Sequence, residues 1–189
     1  MPCEEIPLRE LTIARVLARQ RARHGGKTFL HEWWSGRRYS YAQIDDAADR
    51  AARALAAAGV VRGTHVGLLM GNSAEHVALF LAIGKLGAVS VPVNTAARGE
   101  LLRYYFDHAD ATVIVADEDL APRVAEVLPA LPKVARLVVV GASGQPSTWI
   151  ASSPVCRRHN AERHAMSSVR RLPTRTPTAV PAVPALNST

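Results

Sequence analysis

The stretch from Val66 to Asp117 reads VGLLMGNSAEHVALFLAIGKLGAVSVPVNTAARGELLRYYFDHADATVIVAD and decides the fold. Four short apolar runs rich in β-branched residues begin about 23 residues apart along this part of the chain and just beyond it, at Val66–Met70, Val89–Val93, Thr112–Val115 and Leu137–Val140. Helical patterns fill the intervals between them, which is the spacing of βαβ units. The spacing predicts a parallel sheet covered by helices on both faces, and therefore an α/β fold.

Two local signals predict where helices begin. Asn72, with Glu75 three residues later, predicts the start of a helix that is apolar on two faces. Ser40 and Gln43 form a capping-box pattern ahead of an Ala-rich amphipathic helix, and Gly59 predicts its end.

The polar face of the Ala-rich helix carries opposite charges four residues apart. Asp46 precedes Arg50, and Asp49 precedes Arg53. The spacing predicts two ion pairs along the helix, each worth about 0.2–0.5 kcal/mol.

The residues ahead of this helix predict a smaller unit. Thr28–Trp34 and Arg37–Tyr41 are separated by Ser35-Gly36 and predict a hairpin. A first helix is expected at about Pro7 to His24, where Gly25-Gly26 ends the pattern.

Three segments of the sequence resemble segments of one enzyme superfamily. They are Arg38-Tyr-Ser-Tyr-Ala-Gln-Ile44, Gly63-Thr-His-Val-Gly-Leu-Leu69 and Pro92-Val-Asn-Thr-Ala-Ala-Arg-Gly-Glu-Leu101. In this order they resemble the N-terminal subdomain of the AMP-forming adenylating enzymes, which include acyl-CoA synthetases, luciferases and the adenylation domains of peptide synthetases. The resemblance runs from about Leu8 to Gly141, and the third segment is most similar to bacterial acid–CoA ligases.

The resemblance implies a two-step activation of a carboxylic acid with ATP, Mg²⁺ and CoA as cofactors, none of which is expected to bind tightly to this fragment. In some relatives, the loop that corresponds to Asn94–Arg98 lies by the channel for the CoA nucleotide. Asn94, Thr95 and Arg98 are therefore candidate CoA-binding residues, while a simple strand-to-helix turn remains the alternative. The pattern defines no catalytic residue and no metal ligand.

The composition changes after Gly141. Residues 142–189 contain six arginines and one acidic residue, Glu162, so they carry +5 of the formal net charge of +7. They also hold six of the twelve prolines and show no apolar period. We therefore expect a domain at residues 1–141 and a disordered tail at 142–189. A reading frame lost near residue 142 and a degenerate linker are both compatible with this composition.

The tail does not supply what catalysis in this family requires. The resemblance implies a Ser/Thr/Gly-rich phosphate loop that ends in lysine and, later, a catalytic lysine, whereas Ser143-Gly144 lacks the neighbouring Thr, Gly and Lys residues. The sequence thus predicts a truncated N-terminal fragment of an acid–CoA ligase that is inactive alone. The alternative is a non-catalytic interaction module that associates with a separately encoded remainder.

Other classes of protein are disfavoured by the sequence. Lys85 interrupts the longest apolar stretch, and Met1–Glu10 has no apolar segment of a secretory signal, so a cytoplasmic protein is expected. Cys156, His159 and His164 have no standard zinc spacing. The tail arginines lack interleaved aromatic residues, so a solvated tail is favoured over nucleic-acid binding. Self-association through uncovered apolar surface is expected.

Overall fold

Five α-helices and seven β-strands occur in the part of the chain that the computed structural model describes, which is residue 7, residues 11–141 and residues 146–149. The helices are α1 (Ile13–His24), α2 (Tyr41–Ala57), α3 (Ala74–Leu86), α4 (Gly99–His108) and α5 (Ala121–Val127), which continues into a 3₁₀ turn at Leu128–Ala130. The strands are β1 (Thr28–Glu32), β2 (Arg37–Ser40), β3 (His65–Leu69), β4 (Val89–Pro92), β5 (Val113–Asp117), β6 (Arg136–Val140) and β7 (Pro146–Trp149).

The main sheet has the strand order β4-β3-β5-β6-β7, and its first four strands are parallel. Val66 on β3 lies opposite Ser90 on β4 and Val113 on β5. Strands β1 and β2 form a separate antiparallel hairpin. The prediction of an α/β fold with a parallel sheet is confirmed.

Strand β7 lies inside the segment that was predicted to be a disordered tail. It pairs antiparallel with β6, with Val138 opposite Thr148. The prediction differs from the structure at these four residues because pairing with an edge strand uses backbone groups and needs no apolar pattern. The rest of the predicted tail, with Cys156, His159 and His164, lies outside the described residues.

Helices cover both faces of the sheet. Val66 and Leu68 on β3 point to one face, where they join a core with Leu55 of α2. Leu69 points to the other face and joins a core with Phe106 of α4. This alternation, repeated on β5 and β6, divides the apolar side chains of each strand between two helical layers. Helices α1, α2 and α3 form the first layer, and α4 and α5 form the second.

One predicted helix start is confirmed, and another is displaced by one residue. The Ser40 N–H donates to Gln43 Oε1 at 2.8 Å and the Gln43 N–H donates to Ser40 Oγ at 3.2 Å, so the capping box is present. On α3, however, the cap is Ser73, which accepts from the His76 N–H at 3.1 Å. The prediction of Asn72 as the cap is wrong by one residue, because the first helical residue is Ala74. The first helix begins at Ile13, later than expected.

The two ion pairs expected along α2 are replaced by pairs between helices. Asp46 pairs with Arg21 of α1 at 2.5 Å, and Asp49 pairs with Lys85 of α3 at 2.5 Å. Because α1 and α3 pack against α2, their cations reach these carboxylates. The prediction of pairing with Arg50 and Arg53 is therefore wrong.

Candidate functional site

The chain leaves two neighbouring strands of the sheet toward opposite faces. Strand β3 leads into α3 in the first helical layer, and its neighbour β5 leads into α5 in the second. At such a switch point the two connections separate and leave a crevice beyond the carboxyl ends of the strands. This is where open α/β sheets usually bind ligands.

A cleft of about 570 Å³ occupies this position. It is bordered by the turn after β3, by the residues after β5, by the end of β6 and by the hairpin. The residues of its wall are Arg37, Gly71, Asn72, Ser73, Glu75, Asp117, Glu118, Asp119, Val140 and Gly141. We refer to it as the acidic cleft, because four of these ten residues are carboxylates.

Asp117 joins the two sides of the acidic cleft. Its Oδ2 accepts a hydrogen bond from the Gly71 N–H at 2.7 Å, which ties the turn after β3 to the end of β5. Burial raises the pKa of Asp117 above its ordinary value, against the opposing effect of the Gly71 hydrogen bond. The nearby carboxylate of Asp119 acts in the same direction as burial.

The hairpin reaches the cleft through a buried carboxylate. Glu32, only 1% exposed, accepts hydrogen bonds from the Ala74 N–H at 2.8 Å, from Ser35 Oγ at 2.9 Å and from Arg37 Nε at 2.8 Å. Burial raises the pKa of Glu32, but these hydrogen bonds and the charge of Arg37 together hold it below its ordinary value. A carboxylate at the N-terminus of α3 also suits the helix dipole. Glu32 thus fixes the hairpin to the start of α3.

A second, apolar depression adjoins the acidic cleft and shares Asn72 and Ser73 with it. Its volume is about 350 Å³, and we refer to it as the apolar groove. The other residues of its wall are Leu30, Glu32, Trp34, His76, Val77 and Phe80. His76 Nδ1 lies 3.0 Å from the carbonyl oxygen of Gly71, which fixes the ring over the turn.

The three residues proposed for CoA lie in a different loop at the same edge of the sheet, after β4. Asn94 Oδ1 accepts from the Ala96 N–H at 2.8 Å, and the Thr95 carbonyl accepts from Arg123 Nη1 at 2.6 Å. Arg98 precedes α4 and is exposed, with no hydrogen bond from its side chain to the helix end. The structure therefore brings the three into one loop, but none of them lines the acidic cleft.

The sequence prediction missed the acidic cleft itself. The available signals were the run Asp117-Glu118-Asp119 directly after a predicted strand, and Gly71-Asn72-Ser73 directly after another. The carboxyl ends of parallel strands meet at one edge, so both runs were candidates for a common site.

The described residues do not fit a nucleoside triphosphate in the acidic cleft. A triphosphate needs several converging N–H groups and cations. Here the carboxylates outnumber the cation of the wall, Arg37, which is held by Glu32 at 2.6 Å. Within the part of the chain that the structure describes, no three His, Cys, Asp or Glu side chains converge as a metal site. No step of ATP chemistry is therefore assigned to these residues.

Comparison with known proteins identifies the family. The family model described as AMP-binding enzyme matches residues 17–184, which is most of the chain. The chain belongs to the AMP-binding enzyme family. The match extends past residue 141 into the segment of different composition.

The relatives of this family member are acid–CoA ligases. A medium/long-chain-fatty-acid–CoA/3-oxocholest-4-en-26-oate–CoA ligase of Mycobacterium tuberculosis is 42% identical over 101 residues, covering 53% of this chain and 18% of the relative. The acyl-CoA ligase sidI of Aspergillus fumigatus is 31% identical over 115 residues, covering 61% and 19%. The chain thus spans about a fifth of the length of these curated relatives.

Solved structures of ligases share the fold. The anthranilate CoA ligase AuaEII in complex with anthranoyl-AMP aligns with a TM-score of 0.65 at 29% identity, over 74% of this chain and 27% of the other. The N-terminal domain of FACL13 from Mycobacterium tuberculosis aligns with a TM-score of 0.63 at 30% identity, over 69% and 33%. The predicted resemblance to the N-terminal part of an AMP-forming ligase is confirmed.

None of the helices in the described part of this AMP-binding family member has the length and apolar character needed to cross a membrane.

Proposed function

We propose that the described domain is the N-terminal part of an ATP-dependent acid–CoA ligase and that the 189-residue chain is inactive alone. The proposed reaction has two steps. A carboxylate attacks the α-phosphorus of MgATP to form an acyl-adenylate with release of pyrophosphate, and the CoA thiol then displaces AMP to give the thioester. The observation that carries this proposal is the 42% identity over 101 residues to a mycobacterial acid–CoA ligase.

In this proposal the domain is a scaffold that contributes one surface of the CoA site. Arg98, exposed beside Asn94 and Thr95, offers a cation and nearby polar groups to a phosphate of CoA. The phosphoryl chemistry of the first step is left to other parts of a ligase, because stabilising that charge requires converging cations and N–H groups. Because the reaction uses ATP and CoA, the proposal includes a cytoplasmic location.

A chimera tests the proposal directly. Residues 17–141 replace the matching segment of the Mycobacterium tuberculosis ligase, and acyl-CoA formation is measured with a substrate of the parent enzyme. We expect the chimera to form both acyl-adenylate and acyl-CoA. A chimera that folds, by circular dichroism and gel filtration, but forms no acyl-adenylate would contradict the proposal.

The role of the loop is tested in the same chimera. Arg98→Gln should raise the KM for CoA several-fold and leave acid-dependent pyrophosphate exchange unchanged, since exchange precedes CoA binding. Arg53→Gln, an exposed arginine on α2, is the matched control and should change neither quantity. An unchanged KM for CoA in Arg98→Gln would remove this residue from the site.

The 189-residue chain is assayed by itself for pyrophosphate exchange with fatty and aromatic acids. We expect no exchange above the blank. If the chain is instead an interaction module that serves a separately encoded remainder, adding a ligase that lacks its first segment should restore exchange in trans.

A further inference from the structure

We propose that the basic segment 156–175 of this chain binds the acidic cleft and the adjoining apolar groove of the same molecule. The proposal does not depend on the ligase function. It follows from the charge of the cleft, from the apolar surface next to it, and from the sequence and tether of the segment.

The cleft presents an excess of negative charge. Glu75, Asp117, Glu118 and Asp119 face the same space, while Arg37 is held by Glu32 on the side of the hairpin. Asp119 is exposed to solvent, so a cation from elsewhere in the chain can reach it. A surface of this kind attracts a basic segment and selects against an acidic one.

The apolar groove adjoins the acidic cleft. Asn72 and Ser73 belong to the walls of both depressions, so a ligand that extends past these two residues contacts both. Trp34 and Phe80 line the groove and remain 56% and 43% exposed. An exposed aromatic surface beside a charged one fits a segment in which cations alternate with aliphatic side chains.

The segment 156–175 has this composition. It contains Arg157-Arg158 and a second pair, Arg170-Arg171, which is flanked by Val169 and Leu172. Glu162 is its acidic residue, against six arginines. Each arginine can donate two parallel hydrogen bonds to one carboxylate, and the neighbouring aliphatic residues match the apolar groove.

The covalent connection brings the segment within reach. Gly141 lines the cleft, and β7 then runs back along β6 for four residues, about 13 Å. Arg157 follows Trp149 by eight residues, which span at most about 29 Å when extended. The chain can therefore return to the cleft. A short tether also gives the segment an effective concentration of about millimolar at this site.

The cysteine next to the first arginine pair provides the test. In the full chain with Cys3→Ser, a nitroxide spin label is attached to Cys156, and relaxation of assigned backbone amides is measured by NMR. We expect strong broadening at Ser73, His76 and Asp119 and none at Tyr104, which lies on α4 in the other helical layer. The broadening is taken as the difference between the nitroxide and its reduced, diamagnetic form, so that general broadening by self-association cancels. About 1 M sodium chloride, where the Debye length is about 3 Å, should abolish this difference at the cleft.

Two variants separate binding at this site from nonspecific contact. Glu75→Gln with Asp119→Asn, which neutralises two carboxylates of the cleft wall, should remove most of the broadening, whereas Glu100→Gln on α4 is the matched control and should leave it unchanged. Absence of broadening at the cleft, or equal broadening at Tyr104, would overturn the proposal. Broadening that falls on dilution with unlabelled protein would assign the contact to a second copy and would also overturn it.

Discussion

At the scale of single residues, one glycine decides how closely a helix approaches the sheet. Gly67 is in the middle of β3, and a Cβ atom at this position would lie 2.5 Å from Cε1 and 2.8 Å from Cδ1 of Phe106. Phe106 is fully buried on α4, so its ring has no space to move away. The lack of a side chain at Gly67 therefore allows α4 to cover this face of the sheet.

Gly67→Ala should destabilise the domain by about 1–3 kcal/mol, because the added methyl group forces a rearrangement in a packed core. Denaturant unfolding followed by circular dichroism measures the change. Gly26→Ala is the matched control, since a Cβ atom there meets nothing within 4 Å, and a change within about 0.5 kcal/mol is expected. Equal stabilities of Gly67→Ala and the wild type would show that the core accommodates the methyl group.

Glu32→Gln should destabilise the domain by about 3 kcal/mol at neutral pH, because Arg37 loses a buried anionic partner. The pKa of Glu32 is lowered by folding, so its contribution is fully present above its ordinary value of 4.5 and is lost as the pH falls through the lower folded value. Urea unfolding between neutral and acid pH should therefore show a stability difference between variant and wild type that shrinks below that ordinary value.

Asp117→Asn is the control, and it should change the pH dependence of stability in the opposite direction. Folding raises the pKa of Asp117, so the wild type gains stability from protonation as the pH falls through this raised value, and the variant does not. If both variants change the pH profile in the same direction, the assignment of the two shifts is wrong.

At the scale of elements, a chain of ion pairs connects the first three helices. Asp45, on α2, has a side chain only 8% exposed and contacts Lys85 of α3 at 2.5 Å and Arg21 of α1 at 2.9 Å. Lys85 also contacts Asp49, and Arg21 also contacts Asp46. Burial lowers the pKa of Lys85, but its two carboxylate partners more than offset this effect and raise it overall. The network fixes the positions of α1 and α3 on α2.

Asp45→Asn should lower the free energy of unfolding by about 2 kcal/mol. The reason is that Lys85 of α3 and Arg21 of α1 both lose a charged, largely buried hydrogen-bond acceptor. Asp46→Asn is the matched control on the same helix. Its side chain is 50% exposed, so the loss should stay within about 0.5 kcal/mol. Thermal unfolding of the two variants under identical conditions compares them, and similar melting temperatures would contradict a special role for Asp45.

At the scale of the whole molecule, large apolar side chains remain exposed on both helical layers and on the hairpin. Trp33 is 81% exposed at the hairpin, Leu101 is 51% and Tyr104 is 50% exposed on α4, and Val89 is 43% exposed on the outer strand β4. Strand β4 is also an edge of the sheet. Surfaces of this kind are association sites in soluble proteins.

The purified chain should self-associate at tens of micromolar, and more strongly as salt is added. Salt screens the repulsion between molecules of net charge +7, and it releases any basic segment bound at the acidic cleft. Sedimentation velocity at low and high ionic strength measures the effect. A sharp monomer boundary that salt does not change would mean that the domain is self-sufficient, and would favour the interaction-module alternative.

Much of the fold could be predicted from the sequence because its signals are local. The strand spacing that begins at Val66 identified all four parallel strands, and the Ser40–Gln43 capping box placed the start of α2. The capping box acts within one helical turn, each apolar run lies within one strand, and the spacing between the runs is a distance along the chain. The order of residues is therefore sufficient to determine these signals.

The tertiary structure alone decided which distant groups meet. Asp46 and Asp49 bind cations of α1 and α3 and not their own helix, Glu32 occupies the start of α3, and β7 joins the sheet without an apolar pattern. The acidic cleft exists only because β3 and β5 become neighbours whose connections leave toward opposite faces. Such contacts depend on strand order and helix packing, which arise from many weak interactions across the whole chain. They therefore produce no pattern of fixed spacing that could be recognised in the sequence.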